Sequence, residues 1–111
     1  MMNIEDWKSQ MKRGTLEYCV LLLFSQGDRY GYEIMNELNN YPIIATKEST
    51  MYPLLRRLEK DKYLRSYWQE TSEGLPPRKY YSLTKEGKEY TRLISHEWDN
   101  LTSAIDDLKE V

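Results

Sequence analysis

Ser49, Tyr52, Pro53, Arg56 and Lys60 recur at steps of one helical turn or less within STMYPLLRRLEKD. If that stretch is helical they fall roughly in line on one face, with Arg57 beside them, and Met51, Leu54, Leu55 and Leu58 form the opposite, inward stripe. Such a line has a chemistry. Serine and tyrosine hydroxyls and arginines bind phosphate oxygens, and arginine also reads guanine through a two-pronged hydrogen bond. Arg78 and Lys79, in PPRKYY, supply a second pair on a turn stiffened by prolines, suited to an adjacent backbone or minor groove. Lys47 stands just ahead of the first set, with Thr50 inside it, and Lys8, Lys12 and Arg13 are further candidates for backbone contact. The competing interpretation is an amphipathic surface helix in which Arg57 pairs with Asp61 and Lys60 is merely solvated.

No comparable set exists for catalysis. The single histidine, His96, is followed by EWDN, so no HExxH metal motif forms. One histidine and one cysteine do not build a zinc site, and no phosphate-cradling glycine loop is present; Gly27, Gly31, Gly74 and Gly87 punctuate helices and turns. No catalytic residue, metal or cofactor is expected. Cys19 as the lone cysteine excludes an intramolecular disulfide and fits a reducing cytoplasm. Within EYCVLLLF it reads as a small buried hydrophobe. That run is shorter than the roughly 20 residues a membrane span needs, and MMNIEDWKSQ carries acids where a signal peptide carries bases. A cytoplasmic location without a membrane partner is expected.

Charge is unevenly spread along the 111 residues, whose formal net charge is −2. Residues 1–46 carry four basic and six acidic side chains, residues 47–92 eleven and seven, and residues 93–111 one and five. A basic middle between acidic ends points to a polyanion touched by one face only.

The elements that must position these groups follow from periodicity and punctuation. A helix over residues 5–25 is apolar on two sides, through Trp7, Met11, Tyr18, Cys19 and Leu22 and through Leu16, Val20, Leu23 and Phe24, so a second subunit is expected to cover one of them. Gly27 closes it. YGYEIMNELNN forms a short helix with Ile34 and Leu38 inward, and Pro42 breaks it. Pro53 is tolerated in the first turn of a helix, which places the third helix start near Ser49 or Thr50 and its end near Lys62. LRSYWQE and RKYYSLT around TSEGLPP predict a β-hairpin with Leu64, Trp68, Tyr81 and Leu83 facing the core. Thr84 caps the last helix, where Ile94, Trp98, Leu101, Ile105 and Leu108 form a heptad seam extended backwards by Tyr90. That helix is a rod of about 40 Å. The fold expected is mainly α with a small β-hairpin: a winged helix-turn-helix over residues 1–83 and a dimerisation helix over 84–111.

YGYEI, STMYPLLRRLEKDKYL, Trp68, GLPPRKYYSLTKEG and Trp98 together closely resemble the PadR family of bacterial transcriptional regulators, across roughly residues 13–108. The family pattern has Gly-Thr-Leu-Tyr at residues 49–52 and glycine at Lys62, so the turn before the wing is expected to differ. The length is similar to the family's short branch, with a single C-terminal helix. The resemblance implies a homodimeric repressor that binds a palindromic double-stranded operator through the helix 49–62 and the wing 64–84. In multidrug-responsive members of that branch, a tryptophan in a similar context stacks planar aromatic compounds between subunits. By that likeness Trp98, near Trp7 or Met11, is a candidate effector site. The alternative from another class is a winged-helix module whose Tyr52 and arginines dock on an acidic protein.

Overall fold

The computed structural model describes residues 2–72 and 74–110. Helix α1 spans Ile4–Gln26, opened by Asn3, whose side chain accepts from the amides of Glu5 and Asp6. It buries one stripe, Leu16, Val20, Leu21 and Phe24. Leu21, which belonged to neither expected set, is fully buried, while Leu22 and Trp7 are exposed. The two-residue strand β1 (Arg29–Tyr30) was not anticipated. It pairs antiparallel with the later strand β3 (Arg78–Leu83), Arg29 opposite Tyr81, so the expected hairpin is a three-stranded sheet in the order β1-β3-β2. Arg29 holds it in place: its guanidinium donates to Glu37 and to the carbonyls of Leu23 and Gly27, at 2.5 and 2.8 Å for the carbonyls.

Helix α2 (Gly31–Asn39) buries Ile34 and Leu38, and a 3₁₀ turn at Pro42–Ile44 follows. Helix α3 (Glu48–Lys60) starts earlier than expected. Lys47 is extended, with φ −96° and ψ 159°, and its carbonyl accepts from the amides of Thr50 and Met51 at 3.0 and 2.9 Å. Neither Ser49 nor Thr50 is therefore the cap, and Pro53 lies in the second turn rather than the first. The missing Pro53 amide leaves the Ser49 carbonyl without its intrahelical donor, on a face exposed to solvent. The helix stops two residues before Lys62, which takes a left-handed φ of 67°. Lys62 N–H donates to the Glu59 carbonyl and Tyr63 N–H to the Leu58 carbonyl, at 3.0 and 2.9 Å. Those two bonds define a Schellman closure, which normally uses glycine. The turn before the wing therefore has the glycine-type geometry although lysine occupies it.

Strand β2 (Leu64–Gln69) pairs with β3 in register Leu64 opposite Leu83 and Trp68 opposite Lys79. Leu64, Tyr81 and Leu83 are buried as expected, but Trp68 is 69% exposed. It shares the parity of Leu64, yet the hairpin extends past the body of the domain and no core lies beneath its outer half. Helix α4 (Lys85–Lys109) is capped by Thr84, whose Oγ1 accepts from Gly87 N–H at 2.9 Å and donates to the Lys62 carbonyl at 2.6 Å. Gly87 is more than punctuation: a Cβ there would lie 2.0 Å from the Tyr63 carbonyl oxygen. The core is built from Val20, Leu21, Ile34, Leu38, Met51, Leu55, Leu58 and Leu64. The radius of gyration is 16.3 Å, against about 13 Å for a spherical domain of this length, because α4 runs out beyond the core. The architecture is mainly helical with a small antiparallel sheet, a winged helix-turn-helix with a long C-terminal helix. Among the described residues no helix is long and apolar enough to cross a membrane.

Candidate nucleic-acid interface

The inward stripe of α3 is Met51, Leu55 and Leu58, with Leu54 half-buried, and this rotation presents Ser49, Thr50, Pro53, Arg56 and Lys60 to solvent. Among the described residues, Arg56 and Lys60 make no ion pair. Arg57 behaves differently. Its guanidinium lies 3.3 Å from Glu17 on α1 and 3.8 Å from Asp61, so it ties α3 to α1. Tyr52 is half-buried, and its ring lies over Gly31, where an added Cβ would be 2.6 Å from the ring edge. Gly31 thus lets α2 and α3 approach closely around Tyr52. Burial pushes the Tyr52 hydroxyl pKa up, and Glu48 and Tyr81 add to the rise. The phenol is a neutral donor at one wall of a cleft of about 300 Å³ shared with Tyr30, Tyr32, Arg78 and Lys79.

The wing's two cations also separate. Arg78 is exposed, its guanidinium carbon 4.6 Å over the Tyr30 ring. That ring meets Tyr80 edge-on at 5.4 Å, and Tyr80 stacks on Tyr67 at 5.7 Å. A row of tyrosines therefore stiffens the arm that carries Arg78, and a guanidinium on an aromatic face keeps its hydrogen-bond donors free. Lys79, on the other face, lies 3.6 Å from Glu59, whose carboxylate also takes a hydrogen bond from Ser66. Tyr67 donates to Asp28 at 2.7 Å, and this bond is the largest cause that lowers the Asp28 carboxyl pKa and raises that of the Tyr67 hydroxyl. The tyrosine row was missed at the level of sequence. Tyr67 and Tyr80 share the parity that points away from Leu64 and Leu83, and this much was readable; Tyr30 joins them only through β1.

Among the other candidate cations, Lys47 and Arg13 are exposed, Lys8 pairs with Glu5 at 3.3 Å, and Lys12 donates to the Ala45 carbonyl at 2.7 Å. Trp98 is half-buried against Tyr18 of its own α1, ring centroids 5.6 Å apart, and Tyr18 donates to Ser95 at 2.8 Å. Met11 is half-buried, and Trp7 is 58% exposed. The heptad seam divides. Tyr90 and Ile94 pack on the protomer's own core, whereas Leu101, Ile105 and Leu108 are exposed. Among the described residues no group of histidine, cysteine or carboxylate side chains is placed to hold a metal ion.

Residues 20–93 match the family described as "Transcriptional regulator PadR-like family". The chain is similar to a Streptococcus transcriptional regulator of known structure, with 39% identity, 90% of this chain and 97% of that one covered, and a TM-score of 0.79. A PadR-like transcriptional regulator from Bacillus cereus is 35% identical, with 89% and 95% covered and a TM-score of 0.80. A PadR family regulator from Eggerthella lenta is 34% identical, with 97% and 93% covered and a TM-score of 0.80. With the winged-helix architecture and a matched stretch running from α1 into α4, this chain belongs to the PadR-like family of transcriptional regulators.

Proposed function

We propose that two copies of this chain join through residues 84–111 and act as a repressor on a palindromic operator. Each copy places α3 in the major groove and its wing on the flanking backbone. The observation that carries this reading is the solvent-facing row Ser49, Thr50, Arg56 and Lys60, whose two cations have no carboxylate partner among the described residues. Arg78, poised on Tyr30, supplies the wing contact. The family's place in transcription favours DNA over an acidic protein as the partner. A gel-shift titration with the duplex upstream of the chain's own gene tests it. Retardation is expected, with affinity falling by about one log unit per log unit of salt for each phosphate contact. Arg56→Gln is expected to weaken binding by about tenfold or to relax one base position. Absence of retardation at low salt rejects the reading.

In the same reading a planar aromatic compound at Trp98 releases the operator. A half-buried ring beside Tyr18, near the exposed Leu101 and Ile105 of α4, supports this site. Quenching of tryptophan emission by such compounds is expected in the wild type and is expected to vanish in Trp98→Ala. Equal responses of the two proteins reject it.

A further inference from the structure

A groove of about 540 Å³ runs between the N-terminal half of α1 and the start of α3, lined by Ser9, Lys12, Arg13, Thr46, Lys47 and Thr50. Cations from segments more than thirty residues apart in sequence meet there, and among the described residues no carboxylate lines it. We infer that this groove is a second phosphodiester-binding site, which grips the DNA backbone beside the major groove that α3 enters. The inference rests on the proposed function and extends the DNA contact to α1.

Lys47 carries the argument furthest. It occupies the N-cap of α3, where serine, asparagine or aspartate would satisfy the open amides. Its side chain makes no capping bond; only its carbonyl serves the helix. A cation at the positive end of a helix dipole is also locally unfavourable. A local rule broken twice at one exposed position, with no compensating ion pair or side-chain hydrogen bond among the described residues, points to a binding residue. A phosphate in the groove reverses both penalties, because it meets the ammonium and the helix dipole together. Lys12 contributes a preset donor: its ammonium is held by the Ala45 carbonyl at 2.7 Å and keeps two further hydrogens. Arg13 is exposed and has no ion-pair partner among the described residues. Thr50 and Ser9 add hydroxyls that donate to a phosphate oxygen. Glu48 follows Lys47 in the chain but does not line the groove. Apart from Thr50, which belongs to both, these groups lie beside the solvent-facing row of α3, so they grip any sequence equally.

The experiment is an anisotropy titration of Arg13→Gln/Lys47→Gln across a salt series. It uses the upstream duplex and a shuffled duplex of equal length, each about three helical turns. The variant is expected to lose about tenfold or more on both duplexes, to leave their affinity ratio unchanged, and to lower the salt slope by about four, two phosphate contacts in each of the two subunits. Arg13→Lys/Lys47→Arg is expected to bind as the wild type. If the glutamine variant keeps the wild-type slope and affinity while Arg56→Gln is weakened, the groove is no phosphate site and the role of α3 stands. A changed ratio between the duplexes also overturns the inference, since it marks base reading. If the wild type binds neither duplex, the inference and the proposed function fall together.

Discussion

Lys62 holds a φ of 67° in the closure of α3, a conformation in which a side-chain Cβ crowds the following carbonyl. Its N–H and that of Tyr63 both bond back to the helix, so the turn cannot relax without losing two bonds. Lys62→Gly is therefore expected to raise unfolding free energy by about 0.5–1 kcal/mol, the strain relieved less the entropy that glycine adds to the unfolded chain. A denaturant midpoint checks it, and an unchanged or lower midpoint would show the turn unstrained. The Tyr67–Asp28 bond has a pH signature at both ends. The carboxyl pKa is lowered on folding, so its contribution is present above the ordinary aspartate value and fades as pH falls through the folded one. The phenol pKa is raised, so its contribution is present below the ordinary tyrosine value and fades as pH rises through the folded one. Asp28 is exposed and Tyr67 only half-buried, and the effect is correspondingly small. Subtracting the stability curve of Tyr67→Phe from that of the wild type is expected to leave a plateau near neutrality that declines in both directions.

At the scale of elements, α3 shows a helix given over to its outer face. It starts on a lysine with no side-chain cap, carries a proline in its second turn, and closes on a left-handed lysine. Burial of Met51, Leu55 and Leu58, which leaves none of the three exposed, offsets these local penalties. Lys47→Asn is expected to stabilise the protein by about 1 kcal/mol, seen as a raised denaturant midpoint. Its affinity for both duplexes is expected to drop. A variant stabilised without loss of binding would make Lys47 a bystander. The wing follows the same division of labour: Leu64, Tyr81 and Leu83 anchor its base, while Trp68 and Arg78 extend from the outer half where nothing packs beneath them.

For the whole molecule, the end of α4 decides most. Leu101, Ile105 and Leu108 are 51%, 42% and 72% exposed in a single protomer, and the residues 93–111 around them carry five acids and one base. Such an acidic arm is repelled by DNA, which suits the joining role proposed for residues 84–111, away from the duplex. Leu101→Asp/Ile105→Asp is expected to sediment as a monomer and to keep its helical circular dichroism. It is expected to bind the upstream duplex about 100-fold more weakly, because a second reading head no longer acts at high effective concentration. A variant that stays dimeric would place the joint elsewhere.

The order of the four α-helices and the β2–β3 hairpin, the inward stripe of α3, the Thr84 cap and the cation-bearing outer face were legible from sequence, because each depends on spacing within one segment. The relation to PadR-like regulators was legible too, since it rests on contiguous motifs. Packing between distant segments decided the rest. Strand β1 exists only because β3 offers an open edge to two residues that have no periodicity of their own. Arg56 and Arg57 are neighbours of one type, and only the position of Glu17 commits the second to α1. Trp68 keeps the parity of a core residue, yet the core ends before reaching it. The groove that gathers Lys12, Arg13 and Lys47 has no signature along the chain, because charge convergence belongs to three dimensions.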